Sequence, residues 1–303
     1  MRVRPYEQTY LPALLDDLVD LHLTAVVPGW ALPEAFLAEH LTRNTGEFVT
    51  DPWVVERATL CALEGHRMLA AAHLLRYGAG SEVGEHLRDV GEIAWLVFLP
   101  DRDDAAAELL SRVREKLASW RVARLQAYGA GLPKLPLLGI PETWAHVALA
   151  LDTAGYQPAH KGHRGALHGG RLDGVPAPGG PPVPGMIVRR TVGRFGMRFS
   201  ALLGGEELGW CECVADLDRG GTLPALRGWA ELSEVYVAEG WRNRRIGSWL
   251  VGAAADWLRL CRRDRVILVV DEDDEEAGAG RFYRRFGWDV LAREVRSWFR
   301  GTA

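Results

Sequence analysis

The chain has 303 residues, 48% of them apolar and 25% charged, with a formal net charge of -4. That exceeds one ordinary domain and supplies ample core, so two domains are expected. No Lys/Arg-rich block offers the footprint of a nucleic-acid binder, no run of about 18 apolar residues could span a bilayer, and Met1-Arg2-Val3-Arg4-Pro5 lacks a secretory signal's apolar stretch; the expectation is a cytoplasmic protein with no nucleic-acid or membrane partner.

Arg2 to Tyr6 reads as a short strand, Leu11 to Val27 is apolar at helical spacing, and Pro33 to Thr42 forms a second helix with Pro in its first turn. Trp53 to Leu63 and Arg67 to Tyr77 flank the turn Glu64-Gly65-His66, a hairpin signature. Glu92 to Leu99 has the near-continuous apolar character of a central strand, and Asp104 to Trp120 reads as a helix with Leu109, Val113 and Leu117 on one stripe. From Gly169 to Gly185, prolines and glycines crowd out any periodicity, which predicts a linker between domains at 1–168 and 186–303.

Beyond it, Ile187 to Val192 precedes a half-buried strand in which Phe195, Met197, Phe199, Ala201 and Leu203 alternate with other residues. Gly204-Gly205 turns that strand into Glu207 to Val214. Glu231 to Val237 is the next strand. Ile246, Leu250, Ala254, Trp257 and Cys261 then mark a helix face, and Val266 to Val270 is a short apolar strand. Ala279, Phe282, Tyr283 and Phe286 define a last helix that Gly287 can close. Leu99 to Gly155 spans 56 positions and Val237 to Gly287 spans 50, each with the same order of elements, so the halves read as an internal repeat.

Cys61, Cys211, Cys213 and Cys261 are too few and scattered for a disulfide framework, and Cys211 and Cys213 read as buried small residues on one strand face. His160, His163 and His168 lack a fourth ligand and read as solvated loop residues, so no metal site is expected. Trp30, Trp210, Trp229 and Trp241 suit either core positions or an apolar acceptor pocket, with core the commoner use of aromatic residues.

Between the strand ending at Val237 and the helix starting at Ile246 lies Ala238-Glu239-Gly240-Trp241-Arg242-Asn243-Arg244-Arg245-Ile246-Gly247-Ser248. A helix start offers unpaired N–H groups and the positive end of the macrodipole. Arg242, Arg244 and Arg245 add fixed positive charge and Gly247 permits close approach, making the segment an anion cradle.

This loop resembles the acyl-CoA loop of the GNAT N-acyltransferase family, a Gln or Arg followed at the third and fifth places by Gly and then Gly or Ala. Arg242 and Gly247 match; Arg245 stands where the first Gly is usual, so its side chain must be accommodated or turned to solvent. Downstream, Ala279-Gly280-Arg281-Phe282-Tyr283-Arg284-Arg285-Phe286-Gly287-Trp288 is similar to the family's Ala, Tyr, Gly-Phe helix ending, with Glu276 where an Asn is frequent. The resemblance implies an α/β (α+β) fold of two GNAT-like domains, each a mixed, mainly antiparallel sheet flanked by helices. It also implies acetyl-CoA, or a similar short acyl-CoA, as cosubstrate, held by Val235, Tyr236, Val237 and the loop Arg242, Asn243, Arg244, Arg245, Ile246, Gly247 and Ser248.

The implied reaction is direct attack of a primary amine of a small molecule on the thioester. A backbone N–H within Val235 to Val237 would meet the oxyanion, and Tyr283 would protonate the departing thiolate. Glu231 and Glu234 are candidate bases on one strand; simple alternation puts them on opposite faces, with Glu234 preferred for its place beside Val235. The first half carries Leu99-Pro100-Asp101-Arg102-Asp103-Asp104-Ala105 at the matching junction and Leu151 in place of Tyr283, so it is expected to be a degenerate GNAT-like domain that binds no cofactor. The alternatives are a non-catalytic acyl-CoA-binding regulator, or a protein or peptide N-acetyltransferase. A tandem transferase dependent on aminoacyl-tRNA is disfavoured, needing no such loop. A homodimer is one assembly the sequence leaves open.

Overall fold

The structure, a computed structural model, describes residues 1–43, 47, 49–129, 139–158 and 164–301. It divides into two compact units, residues 1–165 with 292–303, and residues 166–291.

The first unit begins with β1 (Arg2–Pro5), α1 (Leu11–Leu14) and α2 (Asp20–Thr24), the two helices joined through a π-type turn over Leu15–Val19, and α3 (Glu34–Thr42). Leu11, Leu14, Leu18 and Leu23 are buried, which is the helical spacing read from the sequence. The hairpin β2 (Val54–Glu64) and β3 (Arg67–Tyr77) leads to β4 (Val90–Phe98), buried along its whole length, and to α4 (Asp103–Trp120), whose Leu109, Val113 and Leu117 face the core. β5 (Arg124–Ala127), β6 (Ile140–Pro141), α5 (Ala145–Thr153) and β7 (Gln157–Pro158) follow.

The second unit is built from β8 (Arg164–Arg171), the antiparallel strands β9 (Ile187–Val192), β10 (Met197–Leu203) and β11 (Glu206–Val214), then β12 (Trp229–Val237), α6 (Ile246–Leu260) and β13 (Arg265–Asp271). The short helices α7 (Glu272–Ala277) and α8 (Ala279–Arg284) precede β14 (Asp289–Val295) and the last strand, β15 (Trp298–Arg300). Its core packs Leu250, Val251, Ala254 and Leu258 of α6 against Cys211, Cys213, Leu232, Val266 and Leu268.

Strand order in the first sheet is β1-β2-β3-β4-β5-β15-β7, and within the second sheet the strands from β8 onward follow the order β14-β8-β13-β12-β11-β10-β9. Each sheet is thus completed by a strand distant in sequence: C-terminal β15 pairs with β5 and β7 in the first, and β8 lies between β13 and β14 in the second. Neither β8 nor β15 was expected from periodicity, because a strand inserted between two others needs no alternation of its own.

The Pro/Gly-rich stretch 169–185 holds the end of β8 and a 3-10 turn over Leu172–Gly174, with Leu172 and Val175 buried. Its carbonyls are satisfied from α6: Arg259 donates to those of Leu172 and Val175, and the Trp249 indole N–H to that of Gly179 at 3.2 Å. His168, read as a solvated loop residue, is instead fully buried on β8, where its Nε2 lies 3.0 Å from a Glu275 carboxylate oxygen. The sheet position of β8 is what buries it. His160 and His163 lie outside the described residues. Cys211 and Cys213 are core residues, their thiols held protonated by burial, which pushes Cys213 up to about 12. Trp30 and Trp229 are likewise buried.

Candidate functional site

Two features of β12 shape the site. It runs parallel to β13, but the pairing extends only from Trp229–Arg265 to Glu231–Ile267, although β12 continues to Val237 and β13 to Asp271. Beyond Ile267 the pairing with β13 stops, so the β13-facing backbone groups of β12 past Glu231 have no ladder partner there.

The second feature is a β-bulge. Opposite β11, Glu212 pairs with Glu234 and Cys213 with Leu232, so Ser233 is the extra residue. Cross-strand partners share a face. Leu232 and Val235, opposite Cys213 and Cys211, therefore point toward α6, whereas Glu231, Glu234 and Tyr236, opposite Val214, Glu212 and Trp210, share the other face. The expectation of opposite faces for Glu231 and Glu234 fails because Ser233 resets the alternation. The two carboxylates differ in setting: Glu234 is exposed, while Glu231 is half-buried, and burial raises its pKa above the ordinary carboxylate value.

The chain supplies its own comparison. In the first unit β4 pairs in parallel with β5 from Val90–Arg124 to Ile93–Ala127, and Ala94 is the extra residue opposite His73 and Leu74. Glu92 therefore occupies the place of Glu231, two residues before the bulge. Its parallel partner is Gln126, where Glu231 has Ile267. Glu92 is fully buried and accepts hydrogen bonds from the Gln126 amide at 3.1 Å and the Tyr77 hydroxyl at 3.0 Å. The first unit's helix start is unsuited to an anion: Asp103 and Asp104 lie in the first turn of α4, and the Arg102 guanidinium, 2.9 Å away, holds Asp104 down to about 2. Leu151 is buried.

In the second unit the loop before α6 places Arg242, Asn243, Arg244 and Arg245 at the surface, with Gly247 and Ser248 half-buried and Ile246 in the core. Arg242 Nε donates to the carbonyl of Val237 at 3.1 Å, tying the loop to the end of β12, and the Arg244 guanidinium lies 4.9 Å from the Trp241 ring centroid. Arg245 adopts φ 65°, the left-handed conformation a glycine would take without strain, and its side chain turns to solvent. A Cβ on Gly247 would lie 3.5 Å from the Phe282 ring and 3.7 Å from Val237, so this glycine marks where α6, α8 and β12 converge.

Tyr283, on α8, is buried and stacks on Trp288 with ring centroids 5.9 Å apart; the His168 ring lies 6.0 Å from it. Burial pushes its phenol well above the usual value, so the hydroxyl keeps its proton throughout the neutral range. Glu276 is exposed on α7. Among the described residues no cluster of three His, Cys, Asp or Glu side chains could hold a metal.

The arginine-bearing start of α6 thus stands beside the end of the β12–β13 pairing, with the buried Tyr283 on α8. The sequence profile of the Acetyltransferase (GNAT) family matches residues 187–288. Similar solved structures extend over both units. A tandem GNAT protein from the clavulanic acid biosynthesis pathway is similar at TM-score 0.60 and 14% identity, with 100% of this chain and 99% of that one covered. A GCN5-related N-acetyltransferase from Sphaerobacter thermophilus gives 0.63 and 16%, over 99% and 95%. Identities this low show the fold alone. No curated protein matches the chain.

Proposed function

We propose that the second unit transfers an acetyl or short acyl group from acyl-CoA to a primary amine of a small molecule by direct attack. The observation that carries this reading is the end of the β12–β13 pairing beside the arginine-bearing start of α6, which leaves an open strand edge next to an anion cradle. The cosubstrate supplies a thioester carbonyl as the acyl donor. The N–H groups at the start of α6, with Arg242 and Arg244, hold its phosphates, and the open edge at Val235 to Val237 provides backbone donors for the carbonyl oxygen. Glu231 takes the proton from the incoming amine: of the two carboxylates on this face it is the one whose burial favours the protonated form. Tyr283 donates from its hydroxyl to the leaving sulfur, a role that requires the phenol to stay protonated.

Calorimetric titration with acetyl-CoA tests the site, and release of free CoA thiol with a panel of amines tests turnover. The Arg242→Ala, Arg244→Ala double variant is expected to bind acetyl-CoA at least about tenfold more weakly, since loss of charge-assisted contacts costs about 1.5–3 kcal/mol each. Undiminished binding by the variant would remove the loop from the site. Binding without thiol release would favour a regulator.

A further inference from the structure

The geometry points to an acceptor that carries a second positive charge, a diamine or polyamine, with Glu234 and Tyr236 holding the cation that does not react. The inference rests on the acyl-transfer reading above and names its acceptor class.

The bulge at Ser233 brings Glu231, Glu234 and Tyr236 onto one face of β12. Tyr236 stacks on Trp210 with centroids 4.3 Å apart and planes 30° from parallel, and the far side of Trp210 is covered by the Arg198 guanidinium at 4.1 Å. Arg198 is itself fixed by Glu207 at 2.7 Å and Glu212 at 2.9 Å. The stack thus runs outward from β10 through β11 to β12 and ends at Tyr236, which is 39% exposed. Since Trp210 occupies the β11 side of that ring, its other face is turned toward the β13 side of β12, and among the described residues no ring or cation stacks on it. An aromatic face there attracts a cation.

The charges agree. Arg198 is already matched by Glu207 and Glu212, and among the described residues neither Glu231 nor Glu234 has a cation within ion-pair distance. Two carboxylates without a protein cation and an exposed aromatic ring beside the end of the strand pairing can receive more positive charge than one reacting amine brings, because that amine must give up its proton before it attacks. Residues three apart along a strand with one bulge are separated by roughly 7–10 Å. That is the span between amino groups joined by a short methylene chain, so one nitrogen can meet Glu231 while the other stays charged against Glu234 and Tyr236.

The test compares 1,5-diaminopentane and spermidine with 5-amino-1-pentanol, which has the reach of the diamine but one charge. Thiol release from acetyl-CoA should show kcat/KM at least about tenfold higher for the diamine, mainly through KM. Glu234→Gln and Tyr236→Leu should each lower that preference at least fivefold, and Glu234→Asp should restore part of it. Equal kcat/KM for diamine and amino alcohol, or variants that slow both equally, would overturn the inference while leaving acyl transfer standing. If no amine is acetylated, the transfer reading fails and the cation site is read directly by calorimetric titration of spermidine into protein saturated with CoA. Binding weakened in Glu234→Gln supports the site; no spermidine binding overturns it.

Discussion

Replacing Ile267 by Gln should disable Glu231 without touching it. Ile267 is fully buried, is the last β13 residue paired with β12, and stands opposite Glu231 as Gln126 stands opposite Glu92. At Glu92 that amide donates a hydrogen bond of 3.1 Å to the carboxylate. The same bond at Glu231 would stabilise the ionised form by about 1.5–3 kcal/mol, the range for hydrogen bonds to charged groups. At 1.36 kcal/mol per pKa unit, the carboxylate would fall by about one to two units from a value that burial now holds high. A weaker base takes the amine's proton less readily, so kcat/KM at neutral pH should drop by about 10- to 100-fold and its acid limb should move to lower pH. The assay is the pH dependence of kcat/KM for wild type, Ile267→Gln and Ile267→Met with one amine, so that the amine's own ionisation cancels between enzymes. Ile267→Met keeps the site apolar and should retain the wild-type limb. A folded Ile267→Gln protein with an unshifted acid limb, or an equal shift in Ile267→Met, would refute the assignment of Glu231 and the reason given for its raised pKa.

Tyr283→Phe should lower kcat by about 10²-fold or more while leaving acetyl-CoA affinity within about twofold, because the ring and its stack on Trp288 remain and only the donor is lost; unchanged kcat would reduce Tyr283 to a core residue. Deleting residues 297–303 removes β15, which lies between β5 and β7 and buries Trp298, so the first unit should lose about 3 kcal/mol or more, read as a lower urea midpoint; a full-strength transition would show β15 to be dispensable. His40, lowered to about 3 by burial and by Arg57, and His73, lowered by burial, His40 and Arg57, take up protons more readily when unfolded. Stability should therefore fall as pH drops from about 6.5 toward 4, and His40→Phe should flatten that fall; a thermal midpoint with equal slope in both proteins would contradict it.

The sequence alone determined what depends on local order. Helix α6, the arginine loop before it and the α8 segment ending at Gly287 were legible because cap residues, apolar stripes and charge lie within a few positions of one another. The hairpins β2–β3 and β10–β11 were legible for the same reason. Tertiary structure decided the rest. Alternation along Glu231 to Val237 predicted opposite faces for Glu231 and Glu234, and the apolar pair Leu232 and Val235, three apart rather than two, was the one local sign of the bulge that reverses this. The apolar setting of Glu231 includes Ile267, a neighbour 36 positions away by numbering, and becomes readable only against Glu92 and Gln126 in the other sheet. His168 and Trp298 are buried because β8 and β15 are inserted between strands distant in sequence, and pairing of that kind leaves no periodic trace in the segment that is inserted.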